Sequence, residues 1–240
     1  MLKIENTEVT GWEAAIRGMR NPMNSWAKSD SAWHPTENTF DKDDTPVTIA
    51  SGFRVGPNDL DLMKRLTKAG STDAKYRRMI NVTADVTAPL YWWKEYDTYK
   101  VGTVANSCST MHKIHSKEFT LDDFSHEHLL NNGLDLFEFI WENGMFAKNV
   151  QPIDFFTMFI IPSLNKCREK FLETKDKRYW WQMIQLLPSS YNQRRTIQLN
   201  YEVLAAIYPK RKDHKLDCWH TFCDWIESLP YSELITLKEE

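Results

Sequence analysis

The chain has 240 residues, a formal net charge of −3, 42% hydrophobic and 26% charged residues. That length suits one large domain, or two small ones sharing a core. The near-neutral balance excludes the strong basic excess of a nucleic-acid binder.

No run of about twenty apolar residues offers a membrane span. The N-terminal MLKIENTEVTGW lacks the charged-then-apolar order of a signal peptide. Four cysteines, Cys108, Cys167, Cys218 and Cys223, are no disulfide framework in a chain this long, so a reducing cytoplasm is the expected setting. Ten Trp, nine Tyr and twelve Phe promise a heavily aromatic core, with ligand stacking the less favoured reading for any one ring.

In chain order, Leu2 and Ile4 alternate with Lys3 and Glu5 and predict a short opening strand. Residues Gly11 to Met19 read as a short helix. The polar stretch from Asn21 to Asp44, broken by Pro22 and Pro35, has no period and reads as a long surface loop. Asn58 or Asp59 is the expected cap of the next helix after Pro57, with Leu62, Met63, Leu66 and Ala69 as its apolar face and Gly70 as its stop.

From Met79 to Val86 the period becomes two, with Ile80, Val82, Ala84 and Val86 on one side. This predicts a half-buried strand ending at Ala88 and Pro89. Leu134 to Glu142 predicts a helix ending near Gly144, and Phe155 to Glu173 a longer one kinked by Pro162. Tyr201 to Tyr208 and Cys218 to Ser228 complete the helices. With no repeat, low-complexity tract or linker, a single domain over 1–240 is expected.

The most informative run is Val86 to His112, VTAPLYWWKEYDTYKVGTVANSCSTMH. It resembles the signature region of flavin-dependent thymidylate synthases, where a strand ends in Ala-Pro and an Arg-Gln pair precedes R-H-R-x-x-S-x-N-E-x-S-x-R. Ala88 and Pro89 match directly, and Lys94 and Glu95 fall on Arg and Gln. Thr98, Tyr99 and Lys100 replace Arg, His and Arg, and Thr103 replaces the first Ser. After one inserted residue, Asn106 and Ser107 fall on Asn-Glu, Ser109 on the second Ser and Met111 on the last Arg. A second run, Leu187 to Trp219, is similar to the family's Leu-Pro, Arg and N-x-R-x-L pattern through Leu187, Pro188, Arg194, Asn200, Leu204 and Arg211. Trp219 lies one residue further on, and Glu202 replaces the middle Arg.

The resemblance implies an α+β fold, a central twisted sheet flanked by helices, and a homotetramer with sites shared between subunits. It implies FAD as cofactor, a deoxynucleotide substrate, and NADPH and methylene-tetrahydrofolate as co-substrates in the reductive methylation of dUMP to dTMP. Lys94, Lys100, Thr103, Asn106, Arg194 and Asn200 are the implied cofactor-binding residues; Ser107, Ser109 and Arg194 are those for the nucleotide. The stretches around Lys100 and Arg194 are expected to converge on one anion-attracting cleft. Arg211 is expected to cap a helix or pair across a subunit contact.

Lost arginines argue against the usual substrate pose. A carboxylate such as Glu202 about 4 Å from a phosphate would cost on the order of 4 kcal/mol at an effective dielectric near 20. One rival is therefore an inactive homologue that serves as an oligomeric nucleotide-binding or regulatory protein. Another is a metal site on His112, His115, His126 and His128, or on Cys218, Cys223, His214 and His220. The first set has no recognised ligand spacing, and Cys218 and Cys223 are about 140° apart on a helix, which places them on different faces. No metal is expected. The basic run Tyr208 to Lys215, YPKRKDHK, reads as a solvated helix end rather than a nucleic-acid contact.

Overall fold

The computed structural model describes residues 2–40, 46–49, 52–141 and 146–237. Its largest sheet has four strands in the spatial order Lys3–Thr10, Asn81–Pro89, Asn192–Asn200, Val104–Ser107. Helices make up most of the remainder, so the α+β class holds. The predicted strand alternates as its sequence dictates: Val82, Ala84, Val86 and Ala88 are buried, and the residues between them are partly exposed.

By internal contacts the chain divides into two compact units. One comprises Met1–Lys3, Asp85–Thr98 and Asn106–Thr196; the other comprises Ile4–Ala84, Tyr99–Ala105 and Ile197–Glu240. All four strands of the sheet have residues in both units.

In the first unit, Ile114, Phe119, Phe124, Phe156, Leu164 and Met183 form a buried cluster. The helix expected from Leu134 is instead an antiparallel hairpin of Phe137–Trp141 with Phe146–Val150; Glu142 and Gly144 lie outside the described residues. Phe137 and Phe139 both meet the ring of Phe159, at 5.9 and 5.4 Å. Residues two apart share a face in a strand but not in a helix, so this aromatic contact favours the extended form. The kinked helix appears as three pieces: α-helical Pro152–Phe155, π-helical Phe156–Ile160 and α-helical Ile161–Thr174. Pro162, which has no N–H, sits in the first turn of the last piece, and the wider turn before it absorbs the interruption.

In the second unit the supposed loop from Asn21 is ordered. It forms two 3₁₀ turns, Asn21–Met23 and Trp26–Lys28, and then the strands Ala32–His34 and Glu37–Phe40; residues 41–44 of the predicted loop lie outside the described part. What orders it is Asp59. This residue is no cap: it is fully buried inside the helix Pro57–Ala69, on one line with Met63 and Thr67. Its carboxylate accepts from Arg20 Nε at 2.6 Å, Ser29 Oγ at 2.7 Å, Ser31 Oγ at 2.6 Å and the backbone N–H of Ser31 at 3.1 Å.

The capping role passes to Asp30, whose carboxylate accepts from the N–H groups of Asn58 (2.9 Å) and Asp59 (3.1 Å). A Cβ at Gly56 would lie 2.3 Å from that carboxylate, so only glycine fits there.

Removing one partner of a buried ion pair costs about 3–5 kcal/mol, and Asp59→Ala is expected to lose that much in urea unfolding. Burial pushes the Asp59 carboxyl up, but Ser31, Ser29 and Arg20 outweigh it and hold its pKa below the ordinary value. Its ionised form therefore stabilises the fold at neutral pH, and that contribution is lost as pH falls through the lowered folded value. The stability gap between the protein and Asp59→Asn is expected to be constant near neutrality and to close below about pH 4.

Candidate functional site

In the first unit, the outward residues of two neighbouring strands form one polar wall. Asp85 accepts from Arg194 Nη2 at 2.8 Å and from Thr196 Oγ1 at 2.5 Å. Thr87 follows Asp85 on the same face and lines a cavity of about 330 Å³ with Cys108, Ser109, Lys113, Lys117 and Arg194. Local bonds fix this groove. Cys108 donates its N–H to Arg194 O at 2.9 Å, and Gln193 Nε2 donates to Cys108 O at 2.9 Å. Buried Trp93 donates to Gln193 O at 2.9 Å, and the Arg195 guanidinium lies 4.2 Å from the Trp93 ring centre while pairing with Asp97 at 2.7 Å.

The groove carries three cations, Lys113, Lys117 and Arg194, against the carboxylates Asp122 and Asp123. Asp123 is engaged by Lys117 and by the Thr120 N–H at 2.9 Å. Ser109 caps the short helix Thr110–Lys113 by accepting from His112 N–H at 3.1 Å, which leaves its own hydroxyl hydrogen for the groove.

Of the residues singled out in the sequence, Ser109 and Arg194 line this groove. Lys94, on the helix Leu90–Tyr96, is exposed, as are Asn106 and Ser107 on the strand Val104–Ser107. Lys100, Thr103 and Asn200 belong to the second unit, so Lys100 and Arg194 fall in different units. Lys100 is exposed. The Thr103 hydroxyl donates to Tyr99 O and closes a turn, and Asn200 Oδ1 accepts from Val203 N–H at 3.0 Å as the cap of Tyr201–Arg211.

Thr87, Cys108, Lys113 and Lys117 are groove residues that the motif comparison missed. The signal was present in HKIHSK, where two lysines four apart accompany the histidines.

Glu202 is not the unopposed anion that its alignment suggests. It pairs with Arg77 Nη2 at 2.9 Å, the arginine being almost fully buried, and Arg77 Nη1 also donates to Leu234 O at 3.2 Å. Arg211 is engaged by aromatic side chains of its own chain. Its Nε donates to Tyr99 Oη at 2.8 Å, and its guanidinium lies 4.4 Å from the Trp219 ring centre.

Two of the histidines make local contacts. His115 meets the Phe171 ring at 4.9 Å, and a His126 ring nitrogen lies 2.9 Å from Phe124 O. Among the described residues no group of three or more His, Cys, Asp or Glu is placed to hold a metal. Cys218 and Cys223 are both buried, despite their angular separation; burial, with help from Asp224, Glu227 and Asp213, pushes the Cys223 thiol up to about 11. No helix among the described residues is long and apolar enough to cross a membrane.

No protein-family model and no curated protein sequence matches the chain. Solved structures do match. Thymidylate Synthase X (ThyX) from Helicobacter pylori, in a crystal structure with FAD and dUMP, gives a TM-score of 0.61 at 13% identity, covering 98% of each chain. The chain has the fold of a flavin-dependent thymidylate synthase. A second Helicobacter pylori ThyX complex with FAD and dUMP gives 0.62 at 13% identity, over 99% of this chain and 100% of that one. The UMP/dUMP methylase PolB from Streptomyces cacaoi, bound with 5-Br dUMP, gives 0.58 at 12% identity, over 99% and 95%.

Restoring an arginine at Glu202 is expected to harm this protein, because the new cation would face Arg77. Glu202→Arg should lower unfolding free energy by about 3 kcal/mol, measured in urea. The exchange Arg77→Glu with Glu202→Arg should recover part of the loss; a neutral single variant would show that the pair is unimportant.

Proposed function

We propose that the protein binds FAD and a deoxyuridine nucleotide and catalyses reductive methylation of dUMP to dTMP, as a homotetramer in the cytoplasm. The observation that carries this reading is the cation-lined groove around Arg194 on a fold shared over nearly the whole chain with enzymes crystallised with dUMP. The groove volume of about 330 Å³ is at the small end of ligand pockets, suited to a mononucleotide. Lys113 and Arg194 would hold the phosphate, and the Ser109 hydroxyl would donate to it or to the sugar. Arg194 is held in place by Asp85, which pre-orients its guanidinium.

For a cofactor diphosphate, Lys94 and Asn106 of the first unit are exposed polar donors. The flavin would supply the redox chemistry, with NADPH and methylene-tetrahydrofolate as sources of hydride and one-carbon unit. The protein's own part is to position ligands and neutralise their phosphates.

A second reading, a nucleotide-binding protein without turnover, is favoured by Glu202. Its carboxylate is committed to Arg77, leaving no cation at a position where the family has one.

Purified protein is expected to show flavin absorption bands and to melt at higher temperature with dUMP. Arg194→Ala should weaken dUMP binding about tenfold or more, the worth of one charge-assisted bond. Formation of dTMP, followed by mass spectrometry with NADPH and methylene-tetrahydrofolate, separates the two readings. Absence of any response to FAD or dUMP would overturn both.

A further inference from the structure

A second polar cavity, of about 480 Å³, is lined by residues of the second unit alone, with Arg20, Ser25, Lys28, Asn58 and Arg65 on its wall. Arg20 is only 4% exposed. Its guanidinium is locked by Nε to Asp59 at 2.6 Å and by Nη1 to Ser25 O at 3.2 Å and Ser25 Oγ at 3.4 Å. Nη2 has no hydrogen bond among the described residues, although the side chain faces the cavity. Lys28, exposed at the end of its 3₁₀ turn, has no acidic partner among the described residues.

The carboxylates nearby are already engaged. Asp59 is held by Arg20, Ser29 and Ser31, Asp30 by the N–H groups of Asn58 and Asp59, and Asp61, on the cavity wall, by Arg65 Nε at 2.9 Å.

Asp59 and Ser25 therefore fix the Arg20 guanidinium and leave Nη2 to donate to an anion in the cavity. We infer that this cavity binds a phosphate group, held by Arg20 Nη2 and Lys28 Nζ with the Ser25 hydroxyl and Asn58 amide as neutral donors. At Arg20 the two-nitrogen fork that best meets a flat carboxylate is taken. Single donors from four side chains suit a tetrahedral oxyanion. The volume exceeds that of bare phosphate and leaves room for the organic part of a monoester.

Calorimetric titration of the full chain with inorganic phosphate, in chloride buffer, tests the site. In an Arg194→Ala background, which disables the groove of the first unit, Lys28→Gln should weaken phosphate binding about tenfold and Ser25→Ala less. Arg20 itself is left alone, since its loss would strand Asp59. Adenosine 5′-monophosphate binding more tightly than phosphate, with adenosine inert, would identify a monoester as the ligand; equal affinities would identify the free anion. No phosphate binding by the unmodified protein, or undiminished binding by Lys28→Gln in the Arg194→Ala background, would overturn the inference. So would loss in Arg194→Ala alone, which would assign the phosphate to the groove of the first unit. Failure of the dUMP reading leaves this result unaffected.

Discussion

The strand Asn81–Pro89 holds Val82, Ala84, Val86 and Ala88 out of water and turns Asp85 and Thr87 the other way. A shift of one residue would bury a carboxylate and expose the aliphatic row, so the register is strongly fixed. Arg194 and Thr196, on the neighbouring strand, take their positions from Asp85, and the groove is built on that wall. The same alternation thus supplies both a piece of core and the foundation of the candidate site.

Charge placement in this chain ties its arginines largely to internal partners. Arg20, Arg77, Arg194 and Arg195 each have a carboxylate partner, and Arg211 rests on aromatic rings. The groove relies substantially on lysines, which act as compact point charges and tolerate more varied phosphate geometry than a guanidinium fork. Glu202 illustrates the pattern: a reversed charge that looks fatal in alignment is neutralised by Arg77, from a segment that no local motif connects to it.

The α+β class and the period-two strand were legible because both rest on local patterning. The helices at Trp12–Arg20, Pro57–Ala69 and Tyr201–Arg211 were legible for the same reason. Leu134 onward misled because an apolar run suits either conformation, and the pairing of Phe137 and Phe139 with Phe159 decides it only in three dimensions. Asp59 misled because an acid near a helix start usually caps it. Its actual partners, Arg20, Ser29 and Ser31, come from a distant stretch that looked featureless. At the site, Arg194 and Ser109 were accessible through motif resemblance. Lys113 and Lys117 were hidden by the histidines around them, and Thr103 and Asn200 have polar side chains already taken up by the backbone.

Cys108 is the exposed one among the four free cysteines, and it sits on the wall of the Arg194 groove. Cys218 and Cys223 are sealed in the interior and Cys167 is half-buried. A maleimide dye or spin label would therefore attach preferentially beside the groove without any engineering. The natural sequence carries its own reporter for ligand entry, and its own point of vulnerability to electrophiles.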